Sequence, residues 1–185
     1  MKSVEESRLV FEFDETKSKF IKFDKNVAYK KVSGNLKPTR GVDFIFLFNE
    51  ERLVFIEVKN FNDHTKDPET KEKFKNNAEE LVNEIALKVR DTLACGFASA
   101  RFSTHDAKFW KTFVTTFISE KPVFVVAWIE FDGFNSKEKK VKMQIWNSKL
   151  KQKLHWIQSV KTSINNIDNP LSKNIVDMDA RVIGH

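Results

Sequence analysis

An α/β (α+β) sandwich around a central sheet is the fold class the sequence predicts. Three observations point to it. Short β-like apolar runs crowd the first 60 residues. Two stretches between residues 70 and 118 repeat apolar residues at three- and four-residue steps, the period of a helix. The run 123–129 (Val-Phe-Val-Val-Ala-Trp-Ile) is almost wholly apolar, as in a strand covered on both faces. Strands first, then helices, then a mixture, argue for layers packed on one sheet.

In chain order, Ser3 and Glu6 have capping-box spacing, which predicts a short helical turn over residues 3–7. Three β-like runs follow, at Leu9-Val10-Phe11, at Phe20-Ile21-Lys22-Phe23 and at Val27-Ala28-Tyr29. Gly34 and Pro38 mark a loop. Residues 42–48 and 53–59 read as two strong strands joined by a turn through Asn49, Glu50, Glu51 and Arg52. A helix is predicted over 70–93, with Phe74, Ala78, Leu81, Val82, Ile85, Val89 and Leu93 on one face. A second is predicted over 105–118, capped by Ser103 or Thr104 and burying Phe109, Trp110, Phe113, Val114 and Phe117. Pro122 opens the central strand. Residues 141–146 read as a strand, and Ser148 as the cap of a helix with Leu150, Leu154, Ile157 and Val160 inward. Residues 174–183 read as a last, weaker strand.

No repeat, low-complexity tract or Pro/Gly/Ser linker interrupts the 185 residues, so a single domain over 1–185 is expected. The 41% apolar content and 18 Phe can fill a core. A lone cysteine, Cys95, allows neither an internal disulfide nor a cysteine-clustered zinc site, which suits a reducing cytoplasm. There is no run of about 18 apolar residues, so no membrane span is expected. The first residues lack the apolar stretch of a secretion signal.

The formal charge is +6 and the sequence pI about 9.3. That balance is shared by many nucleic-acid-binding domains and by merely Lys-rich surfaces. Positive charge gathers at Lys137, Lys139, Lys140 and Lys142, and again at Lys149, Lys151, Lys153 and Lys161. Lysine is a point charge suited to phosphate contact more than to base readout. His64, His105, His155 and His185 lack metal-pair spacing and read as surface or structural residues. Trp110, Trp128 and Trp146 read as core. Trp156, beside His155 on a Lys-rich segment, is the partial exception.

The informative segment joins Asp43, at the start of one apolar strand, to Glu57-Val58-Lys59 at the end of the next. Side chains two apart on a strand share a face, so Glu57 and Lys59 project together while Val58 points to the other layer. Asp43 shares that face if it lies opposite Glu57, which requires an odd-numbered loop or a bulge. An acid-x-Lys spacing also occurs at Glu15/Lys17, Glu69/Lys71, Asp106/Lys108 and Glu138/Lys140, but only Glu57/Lys59 ends an apolar strand behind an Asp. Converging carboxylates repel unless a cation lies between them, and a hard divalent ion takes such carboxylates together with water and phosphate oxygens. A neighbouring ammonium can orient a metal-bound water and neutralise charge developing on phosphate. These groups have the chemical content for metal-assisted phosphodiester hydrolysis.

On Asp43, on Glu57-Val58-Lys59 and on the helix that follows, the segment from Gly41 to Leu93 resembles the PD-(D/E)XK nuclease superfamily. The resemblance implies a restriction-endonuclease-like fold, a central mixed sheet flanked by helices. It also implies Mg2+ (or Mn2+) held by Asp43, Glu57 and the Val58 carbonyl, with Lys59 acting on the attacking water. Pro38 is separated from Asp43, so the literal Pro-Asp pair is absent. The family often adds a Glu from an N-terminal helix, and Glu6 or Glu12 is the candidate here. The following helix can lend Glu84, Lys88 and Arg90, and Arg40 precedes the motif; Arg40, Lys88 and Arg90 are candidate substrate contacts.

The expected function is a metal-dependent DNA endonuclease serving restriction, defence or repair. Its alternatives are an inactive nucleic-acid-binding or assembly module with the same fold, and a protein-interaction module whose charge is only surface. With no separate recognition domain, specificity falls to loops, a partner or a symmetric homodimer.

Overall fold

The computed structural model describes residues 1–183, and all of their side chains except those of Lys75 and Asn77. His185 lies outside the described residues. The chain opens with Lys2–Glu6 (β1) and Leu9–Phe13 (β2), an antiparallel hairpin turned by Ser7 and Arg8. Both turn residues take left-handed φ (51° and 63°), the conformation of a tight turn that matches strand twist. The predicted helical turn is therefore a strand, because Val4 packs on the core beneath β2 and the ladder outweighs a lone capping pair.

Ser18–Lys22 (β3) leads through a 3₁₀ turn, Phe23–Lys25, into a short helix, Val27–Ser33 (α1). The β-like run at 27–29 is thus helical. Asn26 caps it by accepting the Ala28 N–H at 2.8 Å, and Tyr29 packs on Phe23. Phe44–Phe48 (β4) and Arg52–Asn60 (β5) form the predicted hairpin. Pro68–Phe102 (α2) follows, then Ala107–Ile118 (α3) and Val123–Glu130 (β6). The chain ends with Ser136–Lys153 (α4), Lys161–Asn165 (β7) and Met178–Val182 (β8).

Three sequence expectations fail here. The strand predicted at 141–146 lies inside α4, and Ser148 is mid-helix, its hydroxyl bonded to the Gln144 carbonyl. The helix starts earlier, at a capping box in which Asn135 and Glu138 bond each other's backbone. α2 runs nine residues past Leu93, so Cys95 is a buried residue inside the helix. The residue that precedes α3 is Asp106, in a left-handed conformation, with no side-chain cap from Ser103 or Thr104.

The central sheet has the order β3-β4-β5-β6-β7. β3, β4 and β5 are antiparallel, and β6 and β7 continue parallel to β5, so the sheet is mixed. β1, β2 and β8 form a second, antiparallel sheet. Alternate residues of the central strands separate two cores. Ile45, Leu47, Phe55, Val125 and Ala127 face α2, α3 and α4. Phe44, Phe46, Val54, Ile56, Val126 and Trp128 face Leu9, Phe11 and Phe13 of the small sheet. The helices therefore cover one face of the central sheet and the small sheet covers the other, rather than helices on both sides. No helix among the described residues is long and apolar enough to cross a membrane.

Candidate active site

The hairpin loop holds three residues, 49–51, so it is odd-numbered, and the ladder pairs Phe44 with Ile56 and Phe48 with Arg52. Asn49 and Glu50 accommodate it with left-handed φ of 53° and 54°. Asp43 stands just before β4. Its N–H donates to the Ile56 carbonyl (3.1 Å), the residue Phe44 already faces, so Asp43 steps out of the regular ladder as the first residue of a bulge does. Its Oδ2 then accepts the Val58 N–H at 2.7 Å, in the place where the continuing ladder would have put the Val42 carbonyl. The lead-in is clamped to α2. Arg40 N–H donates to Asp91 (3.0 Å) and Val42 N–H to the Thr92 hydroxyl (3.1 Å). Gly41 is required there, because a Cβ would lie 2.8 Å from the Phe23 ring.

Glu57 and Lys59 project from the helix-facing side of β5 toward α2. Lys59 Nζ lies 3.3 Å from Glu57 and 2.9 Å from Glu84, and Lys88 Nζ lies 2.6 Å from Glu57 Oε1. Glu57 is 1% exposed and its Oε2 has no partner among the described residues. Burial, with Asp43 nearby, pushes Glu57 up to about 8 against the pull of Lys88 and Lys59. Burial also raises the Asp43 carboxyl, opposed by Lys88 and the Val58 N–H. Burial pulls the Lys59 ammonium down, but Glu57 and Glu84 outweigh it and its pKa sits above the ordinary range. Lys59 is accordingly a charged hydrogen-bond donor, not a proton acceptor at neutral pH.

Glu6, at the tip of the first hairpin, reaches the same corner. Ligand oxygens of Glu6, Asp24 and Asp43 lie within 4.8 Å of one another. Lys22 Nζ sits 2.7 Å from Glu6 Oε2, and although burial raises Glu6, Lys22 holds its carboxyl below the usual range. Asp24 Oδ1 is buried without a partner among the described residues, and burial raises Asp24, with Glu6 adding repulsion. Two raised carboxyls, an orphaned oxygen and three converging acids fit a divalent cation by charge and donor type. The expected ligand set differs from this one. Asp43 is grouped with Glu6 and Asp24, whereas Glu57 is gripped by two ammonium groups.

The remaining candidates divide. Val58 is buried, and its N–H, and hence that edge of its backbone, faces Asp43. Lys88 is in the site. Arg90 turns to its neighbour Asp91 (2.8 Å) at the surface, and the Arg40 side chain is exposed. Glu12 sits on β2 and pairs with Arg181 (3.3 Å), so it is not among the converging acids. Asp24 was missed by sequence reasoning. Its signal was faint, an acid between Lys22 and Lys25 just after an apolar run.

Compared with protein-family models, with curated proteins and with solved structures, the chain matches none.

Proposed function

We propose that this chain is a metal-dependent nuclease of the PD-(D/E)XK type that hydrolyses DNA phosphodiester bonds. The observation that carries the reading is the convergence of Asp43, docked on the Val58 N–H, with Glu57 and Lys59 from the adjoining strand and with Glu6 and Asp24. The mixed sheet and the helix that follows β5 agree with a restriction-endonuclease-like fold.

Asp43, Asp24 and Glu6 would hold the cation. When bound, it supplies Lewis-acid charge at the scissile phosphate and lowers the pKa of a coordinated water. Lys59, anchored by Glu57 and Glu84, would add positive charge beside Asp43, where negative charge develops. Glu57 positions both Lys59 and Lys88. DNA is the proposed substrate because Lys137, Lys140 and Lys151 of α4, without carboxylate partners among the described residues, add surface charge suited to phosphates. Two such sites on a symmetric homodimer would cut both strands of a duplex.

The test is cleavage of plasmid DNA with Mg2+ or Mn2+, comparing wild type with Asp43→Asn and Lys59→Met. Each change is expected to lower the rate by about a hundredfold or more while circular dichroism stays native. Cutting that survives both changes would end this reading. A second reading, an inactive binding module with the same fold, is favoured by Glu57 being taken up already by Lys59 and Lys88. DNA binding that weakens steeply with salt, with no cleavage in either metal, would select it.

A further inference from the structure

The positive charge of the chain is concentrated in one stretch. The sequence holds 32 basic and 26 acidic residues. Residues 25–42 contain five of the basic ones, Lys25, Lys30, Lys31, Lys37 and Arg40, and no acid, which leaves 27 basic against 26 acidic residues elsewhere. The rest of the chain is therefore close to neutral, and this stretch carries nearly the whole excess.

Asp24 and Asp43 bound the stretch, and its two ends meet. Phe23 N–H donates to the Asp43 carbonyl (2.8 Å), and ligand oxygens of Asp24, Asp43 and Glu6 lie within 4.8 Å of one another. Between these ends the chain forms α1 and folds back over it. The Tyr29 hydroxyl donates to the Thr39 carbonyl (3.0 Å), and Asn35 Nδ2 donates to the Lys31 carbonyl (2.8 Å). The result is a closed lobe rooted at the acidic corner.

All five cations are exposed. Lys25 lies near enough to Glu6 and Asp24 to favour their charged forms. Lys30, Lys31, Lys37 and Arg40 form no ion pair among the described residues. Two acids of neighbouring helices approach the lobe. Asp106 accepts from Asn26 Nδ2 (3.2 Å), and Asp91 is taken up by the Arg40 N–H (3.0 Å) and by Arg90 (2.8 Å). By contrast, Lys17, Lys121 and Lys173 each sit beside a carboxylate, at 2.8 Å, 3.2 Å and 3.0 Å.

We infer that this lobe is the surface on which the phosphate backbone of duplex DNA docks. Its choice of partner rests on the nuclease reading. Three acids in one corner repel a polyanion, and cations beside them offset that repulsion and draw phosphates to the edge of the corner. Four of the five are lysines, point charges that hold phosphates and read no bases, so docking here is independent of sequence. An anionic membrane would use the same charge, but it also needs a continuous apolar face. Of the large apolar side chains of the lobe only Val27 and Leu36 are exposed, at 57% and 67%, and α1 has seven residues.

Fluorescence anisotropy of the full chain with a short labelled DNA duplex tests it, without divalent metal so that no strand is cut. The triple variant Lys30→Gln/Lys31→Gln/Lys37→Gln is expected to weaken binding by about tenfold or more. It should also reduce the slope of log affinity against log salt by about two to three, since each lost phosphate contact removes about 0.9. Lys30→Arg/Lys31→Arg/Lys37→Arg keeps the charge and should bind as wild type does. Lys17→Gln/Lys121→Gln/Lys173→Gln removes the same net charge from paired lysines and should cost about threefold or less. Equal losses from the two glutamine triples, unaltered binding by the lobe triple, or no duplex binding by wild type would overturn the inference. So would lobe-dependent binding to phosphatidylserine vesicles without binding to DNA. Plasmid cleavage with Mg2+ separates the two readings. Cutting by a chain whose DNA affinity ignores the lobe ends this inference and leaves the nuclease reading standing. Lobe-dependent binding without cutting in Mg2+ or Mn2+ sustains the docking surface and ends the nuclease reading.

Discussion

Glu57 keeps its proton to about pH 8 in the folded chain, against an ordinary value of 4.5. Below about pH 4.5 the carboxyl is protonated in both folded and unfolded chains, so it favours neither. Between the two values the unfolded chain releases a proton that the folded chain retains, so folding stability falls as pH rises through this window. A tenfold change in proton affinity corresponds to about 1.4 kcal/mol, so the loss is a few kcal/mol at most. Raised Asp43 and Asp24 act in the same direction, while lowered Glu6 and Glu84 act in the opposite one. Urea unfolding from pH 5 to 8 should show a shallower decline for Glu57→Gln than for wild type; parallel curves would contradict a raised Glu57. At this scale, Asp43, Glu57 and Lys59 were legible because strand parity and apolar flanks are local properties. Asp24 was not, because the 3₁₀ turn that aims it is fixed by Phe23 packing against Tyr29 and Trp110, which are remote in sequence or unremarkable in pattern.

Elements were legible where one period dominated. β6 and the β4–β5 hairpin follow from continuous apolar runs. α4 was misread because Val141, Met143 and Ile145 imitate a strand's alternation, whereas the buried residues are Met143, Trp146 and Leu150, at helical steps. Val141 and Ile145 are exposed. β7 was missed because its sequence, Lys-Thr-Ser-Ile-Asn, is polar for a strand at a sheet edge. The α2–α3 contact gives a prediction of definite sign. A Cβ on Gly96 would lie 2.5 Å from the buried Phe113 ring. Alanine gains about 1 kcal/mol in helix propensity, but overpacking costs about 1–3 kcal/mol. Gly96→Ala is therefore expected to lower the urea midpoint, and Phe113→Leu in the same chain to restore part of it. A rise in the midpoint for Gly96→Ala alone would show that the ring moves freely.

For the molecule as a whole, the three acids are drawn from three separate segments, so cation binding should couple to global stability. Mg2+ or Mn2+ at about a hundred times the dissociation constant should add about 3 kcal/mol, readable as a rise in Tm. Asp43→Asn and Asp24→Asn should each abolish that rise; a rise of equal size in both variants would place any bound ion elsewhere. Layering around a central sheet was visible in the order of runs. The second sheet was not, because β8 joins β2 from the far end of the chain, and no local pattern announces such a pairing.

That pairing has a temporal consequence. Glu6 is carried by a hairpin whose outer flank is closed by Met178–Val182. A ribosome delivers Glu6 long before the strand that steadies its sheet. During synthesis the nascent chain thus passes through a long interval with an unfinished corner, which closes only once Met178–Val182 has emerged.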